Sequence, residues 1–267
     1  MQSSASMQPQ NQAAVSSDGR PATAGLRAFF ARRPIVSVLI MFLVEMAIIV
    51  SLHLLMKALA PNAEELITLG IASAITFAFI SALGWWRASG FNRPAAWRDL
   101  RLLWLPAIIV FVLPFVTGFK TDELGSLGML TVAYLLVGLR EEALWRGVVL
   151  RILRPLGPTR GVLLMAALFG LSHLSNLAVR SNPAIVLSQV IGAFCFGVGM
   201  GALRLRTNTV WFLVILHAFS DLTLHYTNLP AIPLEVVRDT ILLCYGLYLL
   251  RGQHAADARD AALNIGA

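Results

Sequence analysis

The stretch Arg140-Glu141-Glu142-Ala143-Leu144-Trp145-Arg146-Gly147-Val148-Val149-Leu150-Arg151 sets two adjacent carboxylates inside a block, Leu124 to Leu150, that is otherwise largely apolar. Charge at bilayer depth costs from about 2.5 kcal/mol on insertion scales to roughly 10 or more in simulations, so such groups face a protein interior and carry function. Glu141 and Glu142 therefore need an explanation that plain lipid solvation does not supply.

Working outward, the 267 residues are 57% hydrophobic and 13% charged, against about 25% charged in soluble domains. Apolar blocks recur at Pro34 to Leu59, Leu66 to Trp86, Leu102 to Gly118, Leu124 to Leu150, Gly161 to Val179, Ala184 to Leu203, Thr209 to Tyr226 and Leu234 to Leu250. A helix needs about 20 apolar residues to cross a hydrocarbon core, and these blocks lack the alternation of an outer-membrane barrel. The fold class is all-α, a polytopic bundle of about eight transmembrane helices. The third block is the most irregular, since Pro106 and Pro114 interrupt it. Membrane helices tolerate such breaks where neighbours satisfy the freed backbone groups.

The net charge of +7 does not indicate nucleic acid, because the basic residues sit in short clusters between apolar blocks. Those clusters alternate. Arg20, Arg27, Arg32 and Arg33 precede the first block, and Arg87, Arg93, Arg98 and Arg101 follow the second. Arg151, Arg154 and Arg160, then Arg204 and Arg206, then Arg251 and Arg259 follow the fourth, sixth and eighth. The intervening loops hold Lys57, Lys120 and Arg180. By the positive-inside rule both termini are cytoplasmic. Residues 1–26, rich in Ser, Gln and Ala, read as a disordered tail. The transmembrane domain runs over 27–251, with a second cytoplasmic tail at 252–267. Ala58-Leu59-Ala60 resembles a cleavage site, but the preceding block is longer than a signal h-region and reads as a retained span. Cys195 and Cys244 lie far apart in apolar blocks and read as small core residues. Gly197 and Gly201 form a GxxxG, read as bundle packing.

At 1.5 Å per residue, Glu141 and Glu142 lie roughly 14–15 Å inside the cytoplasmic boundary, His173 about 18 Å, His217 about 12 Å and Asp221 about 18 Å. Three helices thus deliver ionisable groups to one layer. Glu142 and Arg146, four apart with the acid first, suit an ion pair. Glu141 lies about 140° from Arg146 around the helix, which leaves its carboxylate available as a general base. Phe169 stands one turn before His173 as an apolar wall, and Asn176 shares the His173 face, where it can orient the ring or pack helices. Glu45, about 16 Å deep, reads as a second acid near the cluster or, preferentially, as a partner of His53 or Lys57.

Glu-Glu-Ala-Leu-Trp-Arg at 141–146, Phe-Gly-Leu-Ser-His at 169–173 and His-Ala-Phe-Ser-Asp at 217–221 resemble, in order and spacing, the EExxxR, FxxxH and HxxxN/D motifs of the CPBP family. That family comprises the type II CAAX prenyl endopeptidases and the Abi bacteriocin-processing or self-immunity proteins, and the resemblance covers about residues 85–225. It implies an intramembrane endopeptidase in which Glu141 and His173 activate water, while His217 and residue 221 stabilise the oxyanion. The Asp at 221 stands where eukaryotic CAAX proteases carry Asn, and an ionised Asp cannot donate a hydrogen bond. The family is often labelled metalloprotease. Glu141, His173 and His217 are usual Zn²⁺ ligand types, but HExxH is absent, so metal and metal-free mechanisms both stand.

The implied activity hydrolyses a peptide or membrane-protein substrate in a cavity open toward the cytoplasmic side. The composition looks bacterial, which places the protein in an inner membrane and makes a prenylated substrate unexpected. The competing reading is a non-enzymatic scaffold or immunity-type protein whose polar cluster is structural. Interhelical hydrogen bonds average only about 0.6 kcal/mol, a small gain for burying four ionisable groups, and this favours catalysis.

Overall fold

Prolines head the long helices. Pro21, Pro34, Pro158 and Pro183 each begin one, where the missing N–H would have no partner anyway and the fixed φ suits the first turn. The computed structural model describes residues 21–121, 124–178 and 182–265. Its helices are α1 (Pro21–Arg32), α2 (Pro34–Leu59), α3 (Glu64–Ala82), α4 (Trp104–Phe111), α5 (Leu127–Glu141), α6 (Pro158–Ser172), α7 (Pro183–Thr207), α8 (Trp211–Tyr226) and α9 (Ala231–Ile265). Among the described residues the extended pairing is a single antiparallel bridge, Phe119 to Thr227. The protein is an all-α membrane bundle.

Four of these segments are long and apolar enough to cross a membrane: Pro34–Leu59, Glu64–Ala82, Pro158–Ala178 and Pro183–Thr207. Of the other expected spans, the seventh and eighth fall on the regular helices α8 and α9, and the third and fourth are less regular. The third is not one continuous helix: a 3₁₀ turn over Trp97–Leu103 leads into the eight-residue α4, and a second 3₁₀ turn covers Leu113–Phe115. Pro114 explains the break, because it offers no N–H and its ring clashes with the carbonyl four residues back. α5 passes directly into a π-helix over Glu142–Val149 and ends in a turn at Leu150–Ile152, with the Leu150 N–H bonded to Trp145 O five residues back.

The ends also depart from the composition. α1 begins at Pro21, inside the stretch read as a tail, while residues 1–20 with Arg20, and likewise Arg180, lie outside the described residues. α9 continues to Ile265 beyond the expected boundary at 251. The Ala-rich segment after His254 is strongly helix-forming, which outweighs its polarity.

The bilayer-facing surface is plain on α2, where Leu39, Ile40, Leu43, Val44, Leu54 and Leu55 are all exposed. Contiguous apolar exposure on this scale belongs against lipid. Inside, α7 packs on α6 through Gly197 and Gly201, whose absent side chains leave room for Ala166, Met165 and Val162. α5 meets α8 through Gly138, where a Cβ would come within 2.8 Å of Val214 O. That close approach brings the end of α5 against the middle of α8 and so assembles the polar cluster. Cys195 is half-buried, whereas Cys244, read as a core residue, is exposed.

Candidate functional site

The π-helix turns Glu142 and Arg146 into the bundle, where both side chains are fully buried and Arg146 Nη1 lies 3.0 Å from Glu142 Oε1. The Arg146 guanidinium also covers the Phe169 ring at 4.2 Å. From α8, His217 Nδ1–H donates to the same Glu142 Oε1 at 2.8 Å. One carboxylate oxygen therefore ties two helices together, while Glu142 Oε2 is buried with no protein hydrogen bond.

Glu141, one residue earlier, is in a different environment. Its carboxylate lies 3.7 Å from His217 Nε2 and 3.8 Å from Arg140 Nη1, and it keeps 18% exposure. Arg140 is ion-paired with Glu45 of α2, so Glu45 reaches the cluster through Arg140. The preferred pairing of Glu45 with His53 or Lys57 does not form: His53 bonds Glu64 at 3.0 Å. Arg140 competes for Glu45 from the bundle interior, where its buried charge requires a counterion.

His173 stands where α6 tightens into a 3₁₀ segment over His173–Ala178. Its Nδ1–H donates to Phe169 O at 3.1 Å, which fixes the tautomer and leaves Nε2 as the free acceptor. The edge of Phe169 meets this ring at 5.1 Å and Phe196 meets His217 at 5.0 Å, so both imidazoles have apolar walls. Asp221, one turn beyond His217, places its carboxylate 3.8 Å from His217 Nε2. Asn176 does not turn to His173; its Nδ2 donates to Gln189 of α7 at 3.1 Å.

Two cavities meet at this cluster. One of about 440 Å³ is lined by Glu45, Arg140, Glu141, His173, Ser175 and Asn176, and extends to His53, Glu64 and Glu65. The other, about 310 Å³, is lined by Phe169, His173, Gln189, His217, Asp221 and Arg238. His173 belongs to both. The polar lining of the first extends to the α2–α3 connection through His53, Glu64 and Glu65.

Sequence reasoning passed over Arg238 and Asp239 of α9. Arg238 Nε donates to Asp239 Oδ1 at 2.8 Å and Nη1 to Ser220 Oγ at 2.7 Å, forming one wall of the second cavity. Their position inside an apolar block, the signal that exposed the glutamates, was available to find them. Among the described residues no group of three His, Cys, Asp or Glu side chains stands close enough to hold a metal ion. The side chains as placed therefore do not fit the expected Zn²⁺ set of Glu141, His173 and His217, and no step below is routed through a metal.

Residues 102–223 match the family model of the Rce1-like type II CAAX prenyl endopeptidases. Two uncharacterized ABC transporter ATP-binding proteins of Mycobacterium tuberculosis, from strains CDC 1551 / Oshkosh and ATCC 25618 / H37Rv, are each 32% identical to this chain over 112 residues. The alignment covers 41% of this chain and 16% of each relative.

Proposed function

We propose, from the match of residues 102–223 to the Rce1-like type II CAAX prenyl endopeptidases, that the protein hydrolyses a peptide bond with water activated by Glu141 and His173. The observation that carries this reading is the convergence of all three motifs where two cavities join. Glu141 lies 3.7 Å from His217 Nε2, His217 is bonded to Glu142, and His173 lines both cavities.

The division of labour follows from contacts. Glu141 retains solvent access and makes no tight hydrogen bond, as a base that must accept a proton from water requires. His173 is held by Phe169 O and presents Nε2 to the cavity, where it accepts a hydrogen bond from the same water. His217 is oriented by Glu142. When protonated on both nitrogens it presents an Nε2–H donor toward the space where negative charge develops on the scissile carbonyl, the type of preorganised donor that stabilises an oxyanion. Asp221 lies beside that nitrogen and orients the ring; ionised, it cannot itself donate to the oxyanion. Glu45 holds Arg140, and Arg140 in turn lies beside Glu141.

The apolar walls of Phe169, Phe196 and Ile191 suit a peptide with a hydrophobic or lipid-like end that enters between helices from the bilayer. A bacterial inner membrane with cytoplasmic termini remains the proposed setting. The test is cleavage of such peptides by the protein in detergent, comparing wild type, Glu141→Ala and His173→Ala, each with and without chelator. Activity confined to wild type and insensitive to chelator is the expected result. Cleavage lost on chelation would assign the water to a metal, and equal behaviour of all three proteins would move the reading to a scaffold.

A further inference from the structure

At the arginine-rich end of the bundle, away from the catalytic cluster, a separate cavity of about 340 Å³ is lined by Arg151 and Arg154 after α5, by Gly157, Pro158 and Gly161 at the head of α6, and by Arg204 near the end of α7. Arg146 forms its floor, but Glu142 already neutralises that charge. The other three arginines have no such partner: among the described residues no ion pair involves Arg151, Arg154 or Arg204. Arg204 is 7% exposed with a buried Nε that has no hydrogen bond. Its neutral contacts are Asn208 Oδ1 at 3.0 Å and Ala88 O at 3.4 Å, which orient the guanidinium without balancing its charge.

A buried cation without a counterion is costly, and the surrounding groups are all of one sign. α6 enters the cavity by its N-terminus, which carries no side-chain cap and contributes about half a positive charge from the helix dipole. Gly90, at φ +96, brings the backbone so close to Arg204 that a Cβ would stand 2.6 Å from its guanidinium nitrogens. The packing therefore holds Arg204 in place. Exposed loop arginines serve topology, and that accounts for Arg160 but not for a buried Arg204 that lines a cavity together with Arg151 and Arg154.

We propose that this cavity binds a phosphate group, held by Arg151, Arg154 and Arg204 at the head of α6. A guanidinium fork matches phosphate oxygens in geometry and charge, and a helix N-terminus is a ready anion site. The phosphate has two sources: a phospholipid headgroup, for which basic pockets between membrane helices are suited, or free phosphate from the aqueous side.

Delipidated wild type in detergent is titrated with phosphatidylglycerol, with phosphatidylcholine and with inorganic phosphate, and bound ligand is read by native mass spectrometry and equilibrium titration. The same series is run on Arg204→Gln, on Arg154→Gln, whose exposed side chain carries little folding risk, and on Lys120→Gln at the opposite end as a control. Saturable binding by wild type and Lys120→Gln that weakens about tenfold or more in both arginine variants is the expected result. Binding of either lipid names the headgroup as source; binding of inorganic phosphate alone names the free ion. Absence of saturable binding by wild type, equal affinity in the arginine variants, or equal loss in Lys120→Gln would overturn the site.

Discussion

Replacing Arg146 by Met removes the cation from a fully buried ion pair and leaves the rest of the cluster in place. Glu142 is then buried with a carboxylate whose Oε2 already has no protein partner. Breaking a buried pair from one side costs about 3–5 kcal/mol. Here the lower end applies, because His217 Nδ1–H still donates to Glu142 Oε1 at 2.8 Å. Loss of the guanidinium from the Phe169 face at 4.2 Å adds about 0.5–2 kcal/mol, while Met retains much of the packing. A total of about 3.5–5 kcal/mol corresponds to a fall of about 7–20 °C in unfolding temperature for a chain of this size. The assay is thermal unfolding in detergent, followed by intrinsic fluorescence, of wild type, Arg146→Met, Glu142→Gln and the double variant. The double variant buries no unpaired charge, so it is expected to recover at least half of the loss. A single-variant shift below about 2 °C, or a double variant no better than Arg146→Met, would refute the claim that Arg146 is the counterion of a buried, ionised Glu142.

Three shorter tests address other parts of the structure. Gly138→Ala puts a Cβ 2.8 Å from Val214 O on the α5–α8 contact, and overpacking against backbone is expected to cost about 1–3 kcal/mol, seen as a lower unfolding temperature. Arg140→Gln leaves Glu45 without its counterion and removes the cation nearest Glu141; peptidase activity is expected to fall more than stability does, measured as turnover beside the melting curve. Cys195 lines the cavity that holds His217 and Asp221, so in a Cys244→Ala background its labelling by a small maleimide is expected to slow when substrate peptide is bound.

The parts of this site that could be read from the sequence are those encoded by local spacing. Glu142 and Arg146 are four apart, and a helix places them together even when it widens into a π-helix. The separation of Glu141 from that pair follows from the same geometry. His173 and His217 were located by depth, since a helix converts residue number directly into distance. What escaped was set by tertiary packing. The pairing of Arg140 with Glu45 joins residues far apart in the chain, and no periodicity announces it. Asn176 lies on the His173 face in an ideal helix, but the chain tightens into a 3₁₀ segment at His173 and turns it toward Gln189. Pro106 and Pro114 marked the irregular third block, though not how far Pro114 would break it.

The central claim is that the adjacent carboxylates divide their work, Glu141 in chemistry and Glu142 in structure, and a paired measurement on Glu141→Gln and Glu142→Gln tests it most directly. Turnover of a cleaved peptide and unfolding temperature are measured for both variants and wild type. Glu141→Gln is expected to lose about 10²–10⁴ in turnover, the contribution of a general base, with its unfolding temperature unchanged, while Glu142→Gln loses stability. Wild-type turnover in Glu141→Gln, or full stability in Glu142→Gln with the larger loss of turnover, would contradict that division.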